Sequence, residues 1–84
     1  MVKVDETLAD LGEGQVCKIR NIADSGPVSR RLMDMGFLPG ASVRVMRRGP
    51  FGDPTTYFIR GYLIGLRRQE ASLVRISSGL CENE

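Results

Sequence analysis

Nothing restricts this chain more than its shortness. At 84 residues it buries only about 60–65% of the surface its unfolded form exposes, so it can build a single hydrophobic core and no more. Apolar burial set against about 1.5 kcal/mol of ordering entropy per residue comes out near zero at this size. Nearly every apolar residue must therefore pack inward, and a roomy catalytic cavity is not expected. The hydrophobic share of 42% and charged share of 26% fit a soluble globular chain rather than a disordered one or a disulfide-stapled miniprotein. No apolar run approaches the roughly 20 residues that span a bilayer, and the first ten residues lack the basic and apolar regions of a secretory signal. The reading is a cytoplasmic protein.

Histidine is absent, which removes the commonest metal ligand and the commonest acid-base group near neutral pH. The two cysteines, Cys17 and Cys81, fall in a strand pattern and in a polar tail, with no zinc-like spacing, so neither a disulfide nor a metal clip is expected. Cys81 and Glu82 are at most weak candidate metal ligands. The net charge is +2, and the body up to Ile76 is more basic than the tail because Glu82 and Glu84 lie beyond it. Arginine supplies all the cations except Lys3 and Lys18. That favours bidentate pairing with carboxylates or phosphates, yet the charge falls short of a strongly basic nucleic-acid binder.

Turn chemistry divides the chain. Thr7-Leu8-Ala9-Asp10 predicts one short helical turn, with a cap residue and a carboxylate three positions on, halted by Gly12 and Gly14. Val16–Ile22 predicts a strand with Cys17 and Ile19 inward and Val16, Lys18 and Arg20 outward. Asp24-Ser25-Gly26-Pro27 predicts a helix start, and Val28, Leu32 and Met35 recur on one helical face before Gly36. Pro39-Gly40 predicts a type II turn, after which Val43 and Val45 face inward and Arg44 outward. Gly49-Pro50-Phe51-Gly52-Asp53-Pro54 is a loop with a tightly restricted backbone.

Arg60-Gly61 predicts a two-residue hairpin that pairs Ile59 with Tyr62, Phe58 with Leu63 and Tyr57 with Ile64. The first and third pairs, Tyr62 included, are expected to face the core, which leaves Phe58 and Leu63 side by side outside. Arg67–Ala71 predicts a helical turn, and Val74 and Ile76 a last inward pair. The whole reads as a mainly β fold, a small five-stranded antiparallel barrel with a short helix after the first strand. One domain spans residues 1–76, and residues 77–84 form a polar, disordered tail. The expected core is Cys17, Ile19, Leu32, Val43, Val45, Ile59, Ile64, Leu66, Val74 and Ile76. Phe58 and Leu63, with Arg47, Arg48, Pro50 and Phe51, are the candidate partner-binding residues.

Leu8-x-x-Leu11, Arg31-Leu32-x-x-Met35-Gly36-Phe37-Leu38-Pro39-Gly40-x-x-Val43-x-Val45, Pro50-x-Gly52-Asp53-Pro54, Arg60-Gly61-Tyr62 and Leu66-Arg67-x-x-Glu70-Ala71, in this order, resemble the FeoA family of ferrous iron transport proteins. The resemblance runs from about Thr7 to Ile76. It implies an SH3-like barrel, also found as the C-terminal domain of DtxR-type iron-dependent repressors. It further implies a cytosolic accessory protein that binds and regulates FeoB, the membrane ferrous iron transporter, and meets the membrane only through that partner.

No catalytic constellation is visible, so the expectation is a non-enzymatic interaction module without a cofactor. There is no phosphate-binding Gly-x-x-x-x-Gly-Lys-Ser/Thr loop, so any nucleotide chemistry is the partner's. The alternative is a small-barrel nucleic-acid-binding or metal-responsive regulatory module, with Arg44, Arg47, Arg48, Arg67 and Arg68 as a basic patch. Single-strand binding wants several exposed aromatics for stacking, and only Phe58 is assigned outward among the strand aromatics, so no nucleic-acid partner is expected.

Overall fold

The structure, a computed structural model, describes residues 6–23 and 26–83, with side chains described through Ser77. A 3-10 turn at Leu8–Asp10 precedes β1 (Gln15–Ile22), α1 (Pro27–Asp34), β2 (Ser42–Arg48) and a second 3-10 turn at Pro50–Gly52. β3 (Thr55–Ile59), β4 (Tyr62–Leu66), the single turn α2 (Arg68–Ala71) and β5 (Val74–Asn83) complete the chain. The five strands form one antiparallel sheet in the order β4-β3-β2-β1-β5.

Local chemistry sets the turns. The Asp10 carboxylate accepts the Thr7 N–H at 2.9 Å, satisfying a donor that the first helical turn leaves without a partner. Pro27 opens α1 at its first position, where its missing N–H costs nothing. The helix start expected at Asp24-Ser25 lies outside the described residues. At the other end, Gly36 has φ +110°, its N–H bonds the Met33 carbonyl, and the Phe37 N–H bonds the Leu32 carbonyl. This is a Schellman cap, and its two apolar members, Leu32 and Phe37, are both buried. The Ala41 N–H closes the Pro39-Gly40 turn on the Leu38 carbonyl at 3.0 Å.

The core gathers Leu8 and Leu11 from the first turn, Leu32 and Phe37 from the helix and its cap, and the inward strand residues Cys17, Ile19, Val43, Val45, Tyr57, Ile59, Leu66, Val74 and Ile76. The expected inward set is buried apart from Ile64, which is only partly covered. Tyr62, expected inward, is 68% exposed. It stands at the mouth of the hairpin on the sheet's edge strand, past the end of the core that its partner Ile59 fills. The helix face is also rotated from expectation, with Ser29 and Leu32 buried and Val28 exposed. Because Ser is small, it fits where the helix approaches the sheet.

Two expectations fail at the C-terminus. β5 continues to Asn83, pairing Val16 with Glu82 and Gln15 with Asn83, so the segment read as a disordered tail carries strand backbone. The register shifts between Val16↔Glu82 and Lys18↔Ser77, where residues 78–81 of β5 stand against Cys17 alone. Cys17 is disulfide-bonded, against the expectation of no disulfide, and the chain's one other cysteine is Cys81. The reason is the same: a tail read as unpaired could not be brought to β1.

Candidate interaction surface

The hairpin has the expected register, Ile59↔Tyr62, Phe58↔Leu63 and Tyr57↔Ile64. Arg60 and Gly61 both have positive φ, 51° and 87°, the backbone of a type I′ turn, whose twist matches that of the strands it joins. Phe58 is 41% and Leu63 65% exposed, both on the outer face. The register carries this pair across the sheet. Phe58 faces Arg44 and Arg44 faces Val16, so Leu63, Phe58, Arg44 and Val16 form one row over four strands.

Beside the row lies a groove of about 370 Å³ lined by Val16, Ser42, Arg44, Phe58, Arg60 and Gly61. The Arg60 stem packs over Gly36, where an added Cβ would fall 2.8 Å from Arg60 Cδ. An apolar strip with guanidiniums at its border can bury an apolar side chain and pair with a carboxylate next to it. Val16 and Arg44 were legible as outward residues, but their alignment with Phe58 depends on pairings between β1, β2 and β3 that the sequence does not encode locally.

The remaining candidates sit elsewhere. Arg47, Arg48, Pro50 and Phe51 lie at the opposite end of the β2–β3 pair from the Arg60-Gly61 turn. Arg48 is half-buried, and its guanidinium donates to the Leu11 carbonyl and, at 3.4 Å, to the Ala9 carbonyl. Its backbone N–H donates to Glu13 Oε2 at 2.8 Å. Arg48 thus clasps β2 to the first turn rather than extending toward solvent. Pro50 and Phe51 are exposed, and Phe51 has φ 59°, uncommon for a residue with a Cβ.

That loop is rigid at its base. The Gly49 N–H donates to the Pro54 carbonyl at 2.7 Å, and Asp53 Oδ1 accepts the Arg68 N–H at 2.9 Å. Beneath it, Tyr57 donates its hydroxyl to the Leu8 carbonyl at 3.3 Å. Burial pushes the Tyr57 phenol above its ordinary value of 10.0, against the opposing pull of Arg48 and of the Thr55 side chain. Two residues beyond Arg68 in α2, Glu70 pairs with Arg31 of α1.

Among the described residues there is no group of three or more His, Cys, Asp or Glu side chains placed to hold a metal ion. The side chains of Cys81 and Glu82 lie outside those described. Among the described residues, no helix is long and apolar enough to cross a membrane.

Comparison with known proteins adds a family context. The model of the FeoA domain family matches residues 6–78. A Fe(2+) transport protein A/Fe(2+) transporter FeoB fusion protein from Porphyromonas gingivalis is 30% identical over 69 residues, 82% of this chain but 8% of that protein's length. The crystal structure of Stenotrophomonas maltophilia FeoA complexed with zinc, described as an SH3 domain protein, superposes with a TM-score of 0.85 at 27% identity, covering 93% of this chain and 96% of that one. Iron(II) transport protein A from Clostridium thermocellum superposes with a TM-score of 0.81 at 32% identity, covering 86% of this chain and 44% of that one. A manganese-dependent transcriptional repressor shares the fold alone, with a TM-score of 0.75 at 19% identity over 89% of this chain and 43% of the repressor.

Proposed function

The chain belongs to the FeoA family, and from that premise we propose that it is a cytoplasmic, non-enzymatic module of ferrous iron uptake that binds and regulates a FeoB-type transporter. The observation that carries the reading is the relative in which a matching segment and a FeoB transporter are parts of one polypeptide. Fusion of that kind favours physical contact between the two parts when they are separate chains. The docking surface in this reading is the row Leu63, Phe58, Arg44 and Val16 with its groove, where an apolar anchor is bordered by guanidiniums. Iron is the partner's cargo, and guanine nucleotide chemistry is also the partner's.

The test is a FeoB pull-down and titration with the double variant Phe58→Ser, Leu63→Ser. Neither side chain belongs to the buried core, Phe58 being 41% and Leu63 65% exposed, so the variant should stay folded with a modestly lower melting temperature while FeoB affinity falls by about 1–3 kcal/mol. Wild-type affinity in the double variant removes this surface from the reading. Failure of the wild-type protein to bind FeoB at moderate salt, with and without guanine nucleotide, removes the reading itself.

A further inference from the structure

The sheet ends in two unlike edges. β5 is partly closed on its outer side, where Thr7 bridges Arg75 and the Ile76 N–H donates to the Glu6 carbonyl at 3.0 Å. Among the described residues β4 pairs only with β3, and its sequence Tyr62-Leu63-Ile64-Gly65-Leu66 contains no charge and no proline. Those are the features by which edge strands normally avoid pairing with other strands. In a hairpin closed by a two-residue turn, the flanking pair Ile59↔Tyr62 is hydrogen-bonded and bonding alternates along the strand. The N–H and C=O groups of Tyr62, Ile64 and Leu66 then point to β3, and those of Leu63 and Gly65 point away from the sheet. Among the described residues no other backbone group bonds to Leu63 or Gly65. A groove of about 440 Å³ lined by Asp34, Met35, Tyr62, Leu63 and Ile64 leaves room beside the strand.

We propose that β4 pairs with β4 of a second copy of this chain, antiparallel about a twofold axis through Ile64, to give a weak dimer with a continuous ten-stranded sheet. The register follows from the strand itself. A twofold at Ile64 sets Leu63 opposite Gly65 of the second copy, and Gly65 opposite Leu63, so the outward-pointing backbone groups of both copies meet each other. Leu63 is 65% exposed, and a Cβ added at Gly65 would meet nothing within 4 Å. Each leucine therefore lies over the open space above the partner's glycine. The strand itself is neutral, whereas β5 carries Arg75 and Glu82; the same register sets Arg60 opposite Arg68 of the second copy at each end, and that repulsion, screened by salt, keeps the pairing weak. A single strand pair is small beside the roughly 1,600 Å² of a standard interface, which places the dimer among weak, transient associations, with a dissociation constant expected on the order of 100 µM.

Sedimentation equilibrium of the full chain from about 10 µM to 1 mM tests this, since that range brackets the expected constant. The wild type should pass from monomer to dimer across it, and the Leu63 and Gly65 amides should slow in hydrogen exchange as concentration rises. Gly65→Pro removes an outward N–H without touching the β3 ladder, and Gly65→Lys places a charge in open space on the edge. Each should weaken dimerisation at least tenfold with the melting temperature near wild type at low concentration. Gly65→Lys keeps the test decisive if the proline variant unfolds. A wild type that stays monomeric throughout, or a folded Gly65→Lys that dimerises as tightly, overturns the proposal. FeoB is not needed in any arm, so the outcome is independent of the partner reading above.

Discussion

Replacing Ser29 with alanine should make this protein more stable. Ser29 lies in α1, is fully buried, and its Oγ has no hydrogen-bond partner among the described residues. A buried hydroxyl left without a partner costs about 1–3 kcal/mol relative to one that stays hydrated. Alanine removes that cost and adds about 0.5 kcal/mol of intrinsic helix preference. Against this stands the void left by one oxygen atom, about 0.5 kcal/mol at the usual cost of cavity volume. The net expectation is a gain of about 1–3 kcal/mol. For a domain of this length each kcal/mol moves the melting temperature by about 4–8 °C, so the variant should melt at least about 4 °C higher. Thermal melts by circular dichroism and urea titrations give the two numbers independently, and the urea slope should stay constant because the exposed area on unfolding does not change. A variant that melts at or below the wild-type temperature refutes the reasoning and shows that the hydroxyl is hydrogen-bonded in solution.

Three further outcomes follow from the same structure. Ile59→Ala, at a fully buried position, should cost about 2–5 kcal/mol, and Ile64→Ala, only partly covered, about 1–2 kcal/mol, so equal losses in urea titration would contradict the burial pattern. Gly49→Ala should cost about 2–4 kcal/mol, because its Cβ would fall 2.4 Å from the Pro54 carbonyl oxygen that the Gly49 N–H bonds. Denaturation within error of wild type would mean that the loop base opens without penalty. With the Tyr57 phenol held above 10.0 in the folded state, the unfolded chain releases that proton first as pH rises. The tyrosine's contribution is therefore fully present below pH 10 and is lost as pH climbs through the folded value. Tyr57→Phe should show a shallower loss of stability in that alkaline window, and parallel wild-type and variant curves would exclude the effect.

The sequence alone determined whatever depends on a residue and its near neighbours. Gly36, Pro39-Gly40 and Arg60-Gly61 announce their turns because few residues tolerate positive φ or a preset φ, and the structure places a cap or turn at each. Alternation along β3 determined that Phe58 points away from Tyr57 and Ile59, and the two-residue turn then fixed its pairing with Leu63. FeoA membership was legible for a related reason, since its motifs are made largely of these turn residues and the apolar positions between them.

Only the tertiary structure decided what depends on distant partners. Tyr62 alternates as a core residue should, yet the core ends before reaching it, and no local pattern records where a core ends. Arg48 reads as a surface cation until the first turn, 37 residues earlier, brings the Leu11 carbonyl to it. Val16 and Arg44 become neighbours of Phe58 through two strand pairings between segments remote in sequence. The backbone of residues 78–83 has a polar composition that promises nothing, and becomes a strand because β1 offers an edge to pair with. In each case the deciding interaction joins residues far apart in the chain, and its energy is absent from any window of sequence short enough to read as a pattern.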